Sequence, residues 1–387
     1  MTLSGLEQKL VRAIAAREKA LLDDLRLHVE TPTGGVHEEG IELTRRRLPG
    51  RLEPEMLGAE HRQIPGDPKP AWLGGGGAYV PATSVCSRLR GATAGRILIA
   101  GHMDTVHDPA GPFRSLSIAP DGKTAVGPGC VDMKGGLVIA LAALETLEEL
   151  GISAAWSFLL NADEETGTYH SERALRAEAA RHDFGLALEP ALPGGALAIE
   201  RVGSGQFMIE TKGRAAHAGR AFTQGVSAVN KLAECILEVA RMPRPERGII
   251  ANIGPLRGGV ATNAVPDSAA AWGNVRFPDP AAADELGAML DALQTEPDAL
   301  PGVIVRRSFN RPAKPLTPGT ERLALAARRV CEDLGGSMPF ERTGGVCDGN
   351  ILQDAGLPTI DTVGVRGGAL HTPEEWIDLT SLVERCQ

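Results

Sequence analysis

Along the first half of the chain, short apolar runs alternate with segments whose apolar residues recur at helical spacing. GRILIAGHMD (95–104) has the unbroken apolar character of a buried strand, and KGGLVIALAALETLEELG (134–151) follows with helical periodicity closed by Gly151. AAWSFLLNAD (154–163) predicts a second strand, SERALRAEAARH (171–182) a helix, and FGLALEP (184–190) a third strand. Strand and helix in alternation predict an α/β fold on a mostly parallel sheet with helices on both faces. Ligands of such sheets sit beyond the carboxyl ends of the strands, so the residues ending these runs carry the most functional information.

The pattern changes near Gly203. GQFMIETKGR (205–214) alternates as a strand, VSAVNKLAECILEVARM (226–242) is helical, and GIIANIGPLRGG (248–259) and SAAAWGNVRFPD (268–279) read as two further strands. PAAADELGAMLDALQTE (280–296) predicts a helix and GVIVRRSFNRPA (302–313) a last strand. The order β-α-β-β-α-β is that of a ferredoxin-like α+β unit. Residues 203–313 therefore read as an inserted domain, and residues 1–202 plus 314–387 as the domain it interrupts. Helix resumes at TERLALAARRVCEDLG (320–335). Two domains also suit a chain of 387 residues.

Composition narrows the classes. Hydrophobic residues make up 43% and charged residues 23%, values ordinary for a globular protein. A formal charge of −9 gives no support to a nucleic-acid surface. MTLSGLEQKLVRAIAAREKALLDDL reads as an amphipathic helix with charges throughout and lacks the apolar core of a signal peptide. No run is long enough to span a membrane, and the expectation is a cytoplasmic protein without membrane partners. Six cysteines contain no CxxC pair, which argues against a thiolate zinc site and a disulfide framework. GGGG (74–77) reads as a flexible loop because no Lys-Ser/Thr follows it, and Arg45-Arg46-Arg47 as a solvated helix face.

The strand ends share a chemistry. They carry His102 and Asp104 in GHMDTV, Glu164 and Glu165 in DEETG, and Glu189 in LEP; Asp132 in GPGCVDMKGG and His371 in LHTPEE join the same inventory. Each alone has an ordinary explanation: a hydrogen-bonded histidine, a helix cap, a solvated charge. Together they form an N/O ligand set suited to zinc, cobalt or manganese. Carboxylates gathered at one sheet edge would repel unless cations neutralised them. His37-Glu38-Glu39-Gly40 lacks the second histidine of an HExxH helix.

The segments GHMDTV, GPGCVDMKGG, NADEETG, LEP, GRAAHAG, ATNAVP, NVRF, ERTGGVCDG and LHTPEEW occur in an order and spacing that resemble the M20 metallopeptidases. GHMDTVHDPAGPF and ERTGGVCDG look most like the carboxypeptidase G2-like glutamate carboxypeptidases within that family. The resemblance implies two zinc ions bridged by Asp132, with His102 and Glu189 completing one and Glu165 and His371 the other. It implies a cis peptide after Asp132, Asp104 accepting the second N–H of His102, and Glu164 as general base. It further implies that His217 stabilises the oxyanion and that Arg276 and Asn263 hold a free substrate carboxylate. Gly344 and Gly345 would let the backbone approach the substrate. The inserted domain would be a lid and the contact of a homodimer.

Chemistry agrees with these roles. Arginine engages both oxygens of a carboxylate, and a water shared by two cations is already acidified. Two departures stand out: Cys347 occupies a position usually Ser or Thr, and Cys130 lies two residues before Asp132. The leading expectation is a dizinc hydrolase that cleaves an amide or peptide bond beside a free carboxylate of a small substrate. The alternatives are an N-acyl-amino-acid deacylase of the acetylornithine deacetylase type and a catalytically inactive metal-binding protein.

Overall fold

The computed structural model describes residues 3–35, 37–53, 57–74, 79–89 and 95–387. The chain divides into two compact units. One comprises Met1–Pro68, Gly77–Glu200 and Leu316–Gln387, the other Lys69–Gly76 and Arg201–Pro315. Of the GGGG run only Gly74 is described; the rest lies outside the described residues.

The first unit is built on a six-stranded sheet. In spatial order its strands are Glu60–Ile64, Thr83–Arg88, Ala155–Asn161, Arg96–His102, Phe184–Ala187 and Thr359–Ile360. The last four run parallel, while the first two pair antiparallel at one edge. The sheet is therefore mixed, and its parallel part is the part that carries the ligand-type residues. From Gly135 to Leu144 helix Gly135–Glu149 is apolar on every side because it is covered on every side, and its acids fall only in the last turns, at Glu145, Glu148 and Glu149. Leu137, Leu141 and Leu144 pack on Trp156, Phe158 and Leu160 of the sheet. Val138, Ile139 and Ala142 pack outward on Leu21, Leu25, Val29 and Leu382. Each such leucine contributes about 1.5–3 kcal/mol through burial, and Leu141→Ala would cost about 2–5 kcal/mol. Gly151 ends this helix in the left-handed conformation (φ 65°), where the Ile152 N–H reaches the Leu147 carbonyl at 2.8 Å. The opposite sheet face buries Leu98, Ala100 and Leu159 against Leu175, Ala179, Ile351 and Leu352.

Several local expectations change. The amino-terminal pattern forms two helices, Gly5–Ala15 and Glu18–Val29. They are separated at Ala16–Arg17, where the Arg17 guanidinium turns to Glu145 at 3.1 Å. Ser4 and Glu7 close the first helix with a capping box. Three predicted strands stop early, at His102, Asn161 and Ala187. The Asp163 carbonyl accepts the Thr168 N–H at 2.7 Å, folding the chain into a turn that an apolar run cannot announce. The Asp163 carboxylate is itself buried and accepts from the Ser171 hydroxyl at 2.5 Å and the His170 N–H at 2.6 Å. Of the three arginines read as solvated, only Arg46 is exposed. Arg45 is buried, donating to the Ala82 carbonyl and pairing with Glu42 at 3.2 Å, and Arg47 donates to Thr31 Oγ1 at 2.7 Å. His37 accepts the Gly40 N–H at 3.2 Å and so caps helix Glu38–Gly50.

The second unit holds a four-stranded antiparallel sheet in the order Ile250–Gly258, Ser268–Phe277, Gly203–Lys212, Gly302–Arg311. Helices Ala228–Val239 and Pro280–Asp291 share one core with it, through Leu232, Leu286, Phe207, Ile209 and Val275. Asp279 caps the second of these helices, with Pro280 at its first position. The Trp272 indole donates to the Trp72 carbonyl at 2.7 Å, holding the Ala71–Leu73 turn to this unit, a segment the alternation gave no reason to place there. Among the described residues no helix is long and apolar enough to cross a membrane.

His28 is 3% exposed, and its Nδ1 has no hydrogen-bond partner among the described residues. Burial first, then the Lys134 charge, hold its pKa down to about 4. The unfolded chain therefore takes up this proton first as pH falls, and stability is lost through the window from about 6.5 down to about 4. The effect reaches about 3 kcal/mol when fully developed. In urea titrations of metal-free protein, His28→Phe should flatten the stability profile across that window. An unaltered slope would contradict this assignment.

Candidate metal centre

The parallel strands deliver their terminal residues to one end of the first unit. His102 ends the strand Arg96–His102 and pairs in register with Asn161, after which the chain turns through Asp163, Glu164 and Glu165. On the other side Ala100 pairs with Ala187, so His102 and Glu189 each lie two residues beyond a paired position on neighbouring parallel strands. Glu189 is buried, and its carbonyl accepts the Gly364 N–H at 2.9 Å. Asp132 arrives from the turn Cys130–Lys134 ahead of the central helix. The peptide bond between Asp132 and Met133 is cis. His371 comes from a turn near the carboxyl terminus and holds a left-handed backbone (φ 63°), a conformation uncommon outside glycine.

Four of these side chains converge. His102 Nε2 lies 3.2 Å from Asp132 Oδ1, and His371 Nε2 lies 3.5 Å from Asp132 Oδ2 and 3.2 Å from Glu165 Oε2. Ligand atoms of His102, Asp132 and Glu165 all fall within 4.8 Å of one another. The two oxygens of Asp132 thus face different histidines. These separations exceed the common N–H···O distance of about 2.9–3.0 Å. They match the roughly 3.4 Å between two atoms each about 2.1 Å from one tetrahedral ion. The donor set and its spacing fit divalent metal.

Asp104 does more than orient a ring. The His102 Nδ1–H donates to the Asp104 backbone carbonyl at 2.9 Å, with the carboxylate further away at 3.5 Å. That hydrogen bond leaves Nε2 as the nitrogen facing Asp132, the one that can bind a metal once its proton is lost. The Asp104 carboxylate accepts the N–H groups of Glu164 at 3.3 Å and Glu165 at 3.0 Å. It therefore ties the adjacent glutamates to the histidine strand, whereas the sequence placed it on the imidazole alone.

The electrostatics of the metal-free chain follow. Burial alone would lower the His102 pKa, but hydrogen bonds to Asp104 and Asp132 hold it well above the usual histidine value. Burial opposes ionisation of Asp132, and His102 and His371 overcome it, pulling the carboxyl below the ordinary carboxylate range. Glu165 is pushed up to about 7, chiefly by burial and also by the Asp132 charge. Hydrogen bonds to Asp132 and Glu165 raise His371 to about 10. Closely packed carboxylates recruit the nearest positive charge, which here is proton on histidine.

The remaining predicted residues lie in the second unit or on the rim of the first. Ala216–His217 forms a short strand pairing with Ala264–Val265, and the Ala218 N–H donates to the Asn263 carbonyl at 2.9 Å. His217 and Asn263 are thereby neighbours. The Gly219 N–H donates to His217 Nδ1 at 3.1 Å, which leaves the ring proton on Nε2. Arg276 is half-buried on Ser268–Phe277, in register with Ser204, which also pairs with Arg311. Burial and then the neighbouring Arg311 lower its pKa, and its Nη1 is buried with no hydrogen-bond partner among the described residues. Gly344 is exposed, and a Cβ there would meet nothing within 4 Å, so packing gives no reason for glycine. The Gly345 N–H lies 3.4 Å from Thr343 Oγ1. Cys130 and Cys347 are both buried; Cys130 packs with its Sγ 3.6 Å from the Glu375 carbonyl, and burial raises its thiol pKa.

Sequence reasoning passed over Glu375 and His107. Glu375 is 1% exposed, and its carboxylate accepts the N–H groups of Gly129, Val131 and Asp132 at 2.9, 3.0 and 3.1 Å. His107 Nε2 donates to it at 2.6 Å. A signal existed: Glu375 lies two residues before Ile377, the buried residue of the strand Trp376–Asp378, so an acid occupies an inward phase.

Residues 98–387 match the profile of peptidase family M20/M25/M40. The chain is 28% identical over 317 residues to carboxypeptidase G2 of Pseudomonas sp. (strain RS-16), covering 79% of this chain and 75% of that protein. It is 31% identical over 322 residues to succinyl-diaminopimelate desuccinylase of Methylorubrum populi, covering 75% of this chain and 80% of the relative. Among solved structures, a tripeptidase from Staphylococcus aureus superposes with a TM-score of 0.73 at 23% identity, covering 95% of each chain, which shows a shared fold.

Proposed function

The chain belongs to peptidase family M20/M25/M40, whose members are metal-dependent peptidases and amidohydrolases, and from that premise we propose that it is a dimetal, glutamate carboxypeptidase-like hydrolase. Its substrate would be a small molecule with an amide or peptide bond next to a free carboxylate. The observation that carries this reading is the Asp132 carboxylate with one oxygen toward His102 and the other toward His371. Asp132 would be shared between two divalent ions, zinc with cobalt or manganese as substitutes; His102 and Glu189 would help to hold one, and His371 and Glu165 the other. Bound metal would supply a Lewis acid for the scissile carbonyl and acidify a water.

The chain's own residues do the rest. Glu164, pinned through its N–H to Asp104, takes the proton of the attacking water and returns it to the leaving amine as the C–N bond breaks. Its neighbour Glu165 faces His371 instead, which separates the two adjacent glutamates by task. Asp104 keeps both glutamates and His102 in register. His217 offers an Nε2–H to the developing oxyanion. Arg276, with an unpartnered half-buried guanidinium and a cationic neighbour, receives the substrate carboxylate together with Asn263. Gly344 and Gly345 would let the backbone approach the substrate. A desuccinylase-like deacylase of N-acyl diamino acids is the second reading, favoured by the 31% identity to that relative.

The second unit would serve as lid and as the contact of a homodimer. Leu237, Ile250 and Leu256 are 59%, 47% and 58% exposed, and Ile250–Gly258 is an edge strand. Exposed apolar residues beside an open edge are what a second copy would cover. Six free cysteines, five of them buried, support a reducing compartment such as the cytoplasm.

Glu164→Gln should lose about 10²–10⁴-fold in kcat while retaining metal, as read by turnover alongside metal analysis. Full activity in the metal-loaded variant would remove Glu164 from the base role. N-acylglutamates should be turned over faster than N-acetylornithine or N-succinyl-diaminopimelate, and the reverse order would favour the second reading. Light scattering should find a dimer that Leu256→Glu converts towards monomer; a wild-type monomer would contradict the proposed contact.

A further inference from the structure

We infer that Glu375, together with His107, is a positioning residue that preorganises the metal-facing side chains of Asp132 and His371 while touching neither metal nor substrate. The inference rests on the proposed reading of these residues as a metal centre. Its basis is one buried carboxylate with four donors. Three are backbone N–H groups of the loop that delivers Asp132, including the N–H of Asp132 itself, and the fourth is His107 Nε2. The same residue's carbonyl accepts the Gly127 N–H at 3.1 Å, so the loop is held from both sides. In the other direction along the chain, the Glu375 N–H donates to the Thr372 carbonyl at 3.1 Å, closing the turn that directly follows His371. The loop that delivers Asp132 and the turn beside His371 are therefore both held by a single residue, which lies 243 positions from Asp132 along the chain.

The chemistry requires a carboxylate. Only an ionised carboxyl offers two oxygens that accept on every side, and charge-assisted bonds of this kind hold a loop more firmly than neutral ones. A glutamine of the same shape has a single acceptor oxygen, and its amide group would turn N–H against N–H. Four donors cannot then all be satisfied, and buried unsatisfied donors relax by moving the backbone that bears them. The backbone that moves is that of Asp132. His107 is fixed in turn by the edge of Phe113, with ring centroids 5.0 Å apart. Glu375 thus acts on the metal ligands from outside the ligand set, as hydrogen-bonded outer residues do in metal sites generally.

The test is metal affinity of full-length, metal-stripped protein. Zinc binding is measured by competition with a chromophoric chelator, and the visible spectrum of the cobalt form reports ligand geometry. Glu375→Gln should bind zinc about 10–100-fold more weakly and shift the cobalt spectrum, with circular dichroism unchanged. His107→Leu, which removes one donor and leaves the loop N–H groups satisfied, should weaken binding about 2–10-fold. A folded Glu375→Gln protein with affinity within twofold of wild type and an unaltered cobalt spectrum would overturn the inference. Should Glu375→Gln fail to fold, unchanged affinity in His107→Leu would overturn it instead. Failure of the wild-type protein to bind zinc would overturn the metal-centre reading and this inference with it, whereas wild-type binding with unchanged variants overturns the inference alone.

Discussion

The Asp132 carboxylate sends one oxygen towards His102 and the other towards His371, at 3.2 and 3.5 Å. A side chain of that length reaches two partners only if its own backbone and both histidines are held from outside. His102 is held by the sheet ladder and by the Asp104 carbonyl, and the loop of Asp132 by the Glu375 carboxylate. The turn carrying His371 is closed by the Thr372 N–H on the Ala369 carbonyl, and the turn that follows it by the Glu375 N–H. The cost of gathering buried carboxylates is visible in the shifted ionisation of Glu165, His102 and His371, each moved toward the form that lessens negative charge. Divalent cations relieve the same repulsion more completely than protons do, because each brings two charges to the site.

The parallel sheet provides the registration for this arrangement. Neighbouring strands place His102 beside Asn161 and Ala100 beside Ala187, so residues just beyond the ladder meet without any long-range search by loops. Asp104 extends that register past the strand end by taking the N–H groups of Glu164 and Glu165. The adjacent glutamates then diverge because the chain has left extended structure and entered a turn anchored by Asp163. Two neighbouring acids acquire different surroundings, which is the condition for giving them different chemistry.

Much of this was legible in the amino acids, for identifiable reasons. Apolar runs and helical periodicity located the sheet, the central helix and the α+β elements after Gly203, since burial writes directly into composition. The histidines and acids at strand ends were visible because the fold class assigns function to those ends. The antiparallel edge escaped because Glu60–Ile64 is partly exposed and its pattern, EHRQI, carries no apolar alternation. Arg45 was misread because a buried guanidinium that meets a carbonyl and a glutamate looks, in sequence, like any other charge. Glu375 was missed for a related reason: its partners are backbone N–H groups, which have no letter in the sequence.

The most direct measurement is anomalous diffraction at the zinc edge from crystals grown with zinc. The account predicts two peaks on opposite sides of Asp132, one near His102 Nε2 and one near His371 Nε2, each sharing one oxygen of that carboxylate. A single peak, or two peaks with Asp132 bound to only one of them, would contradict it.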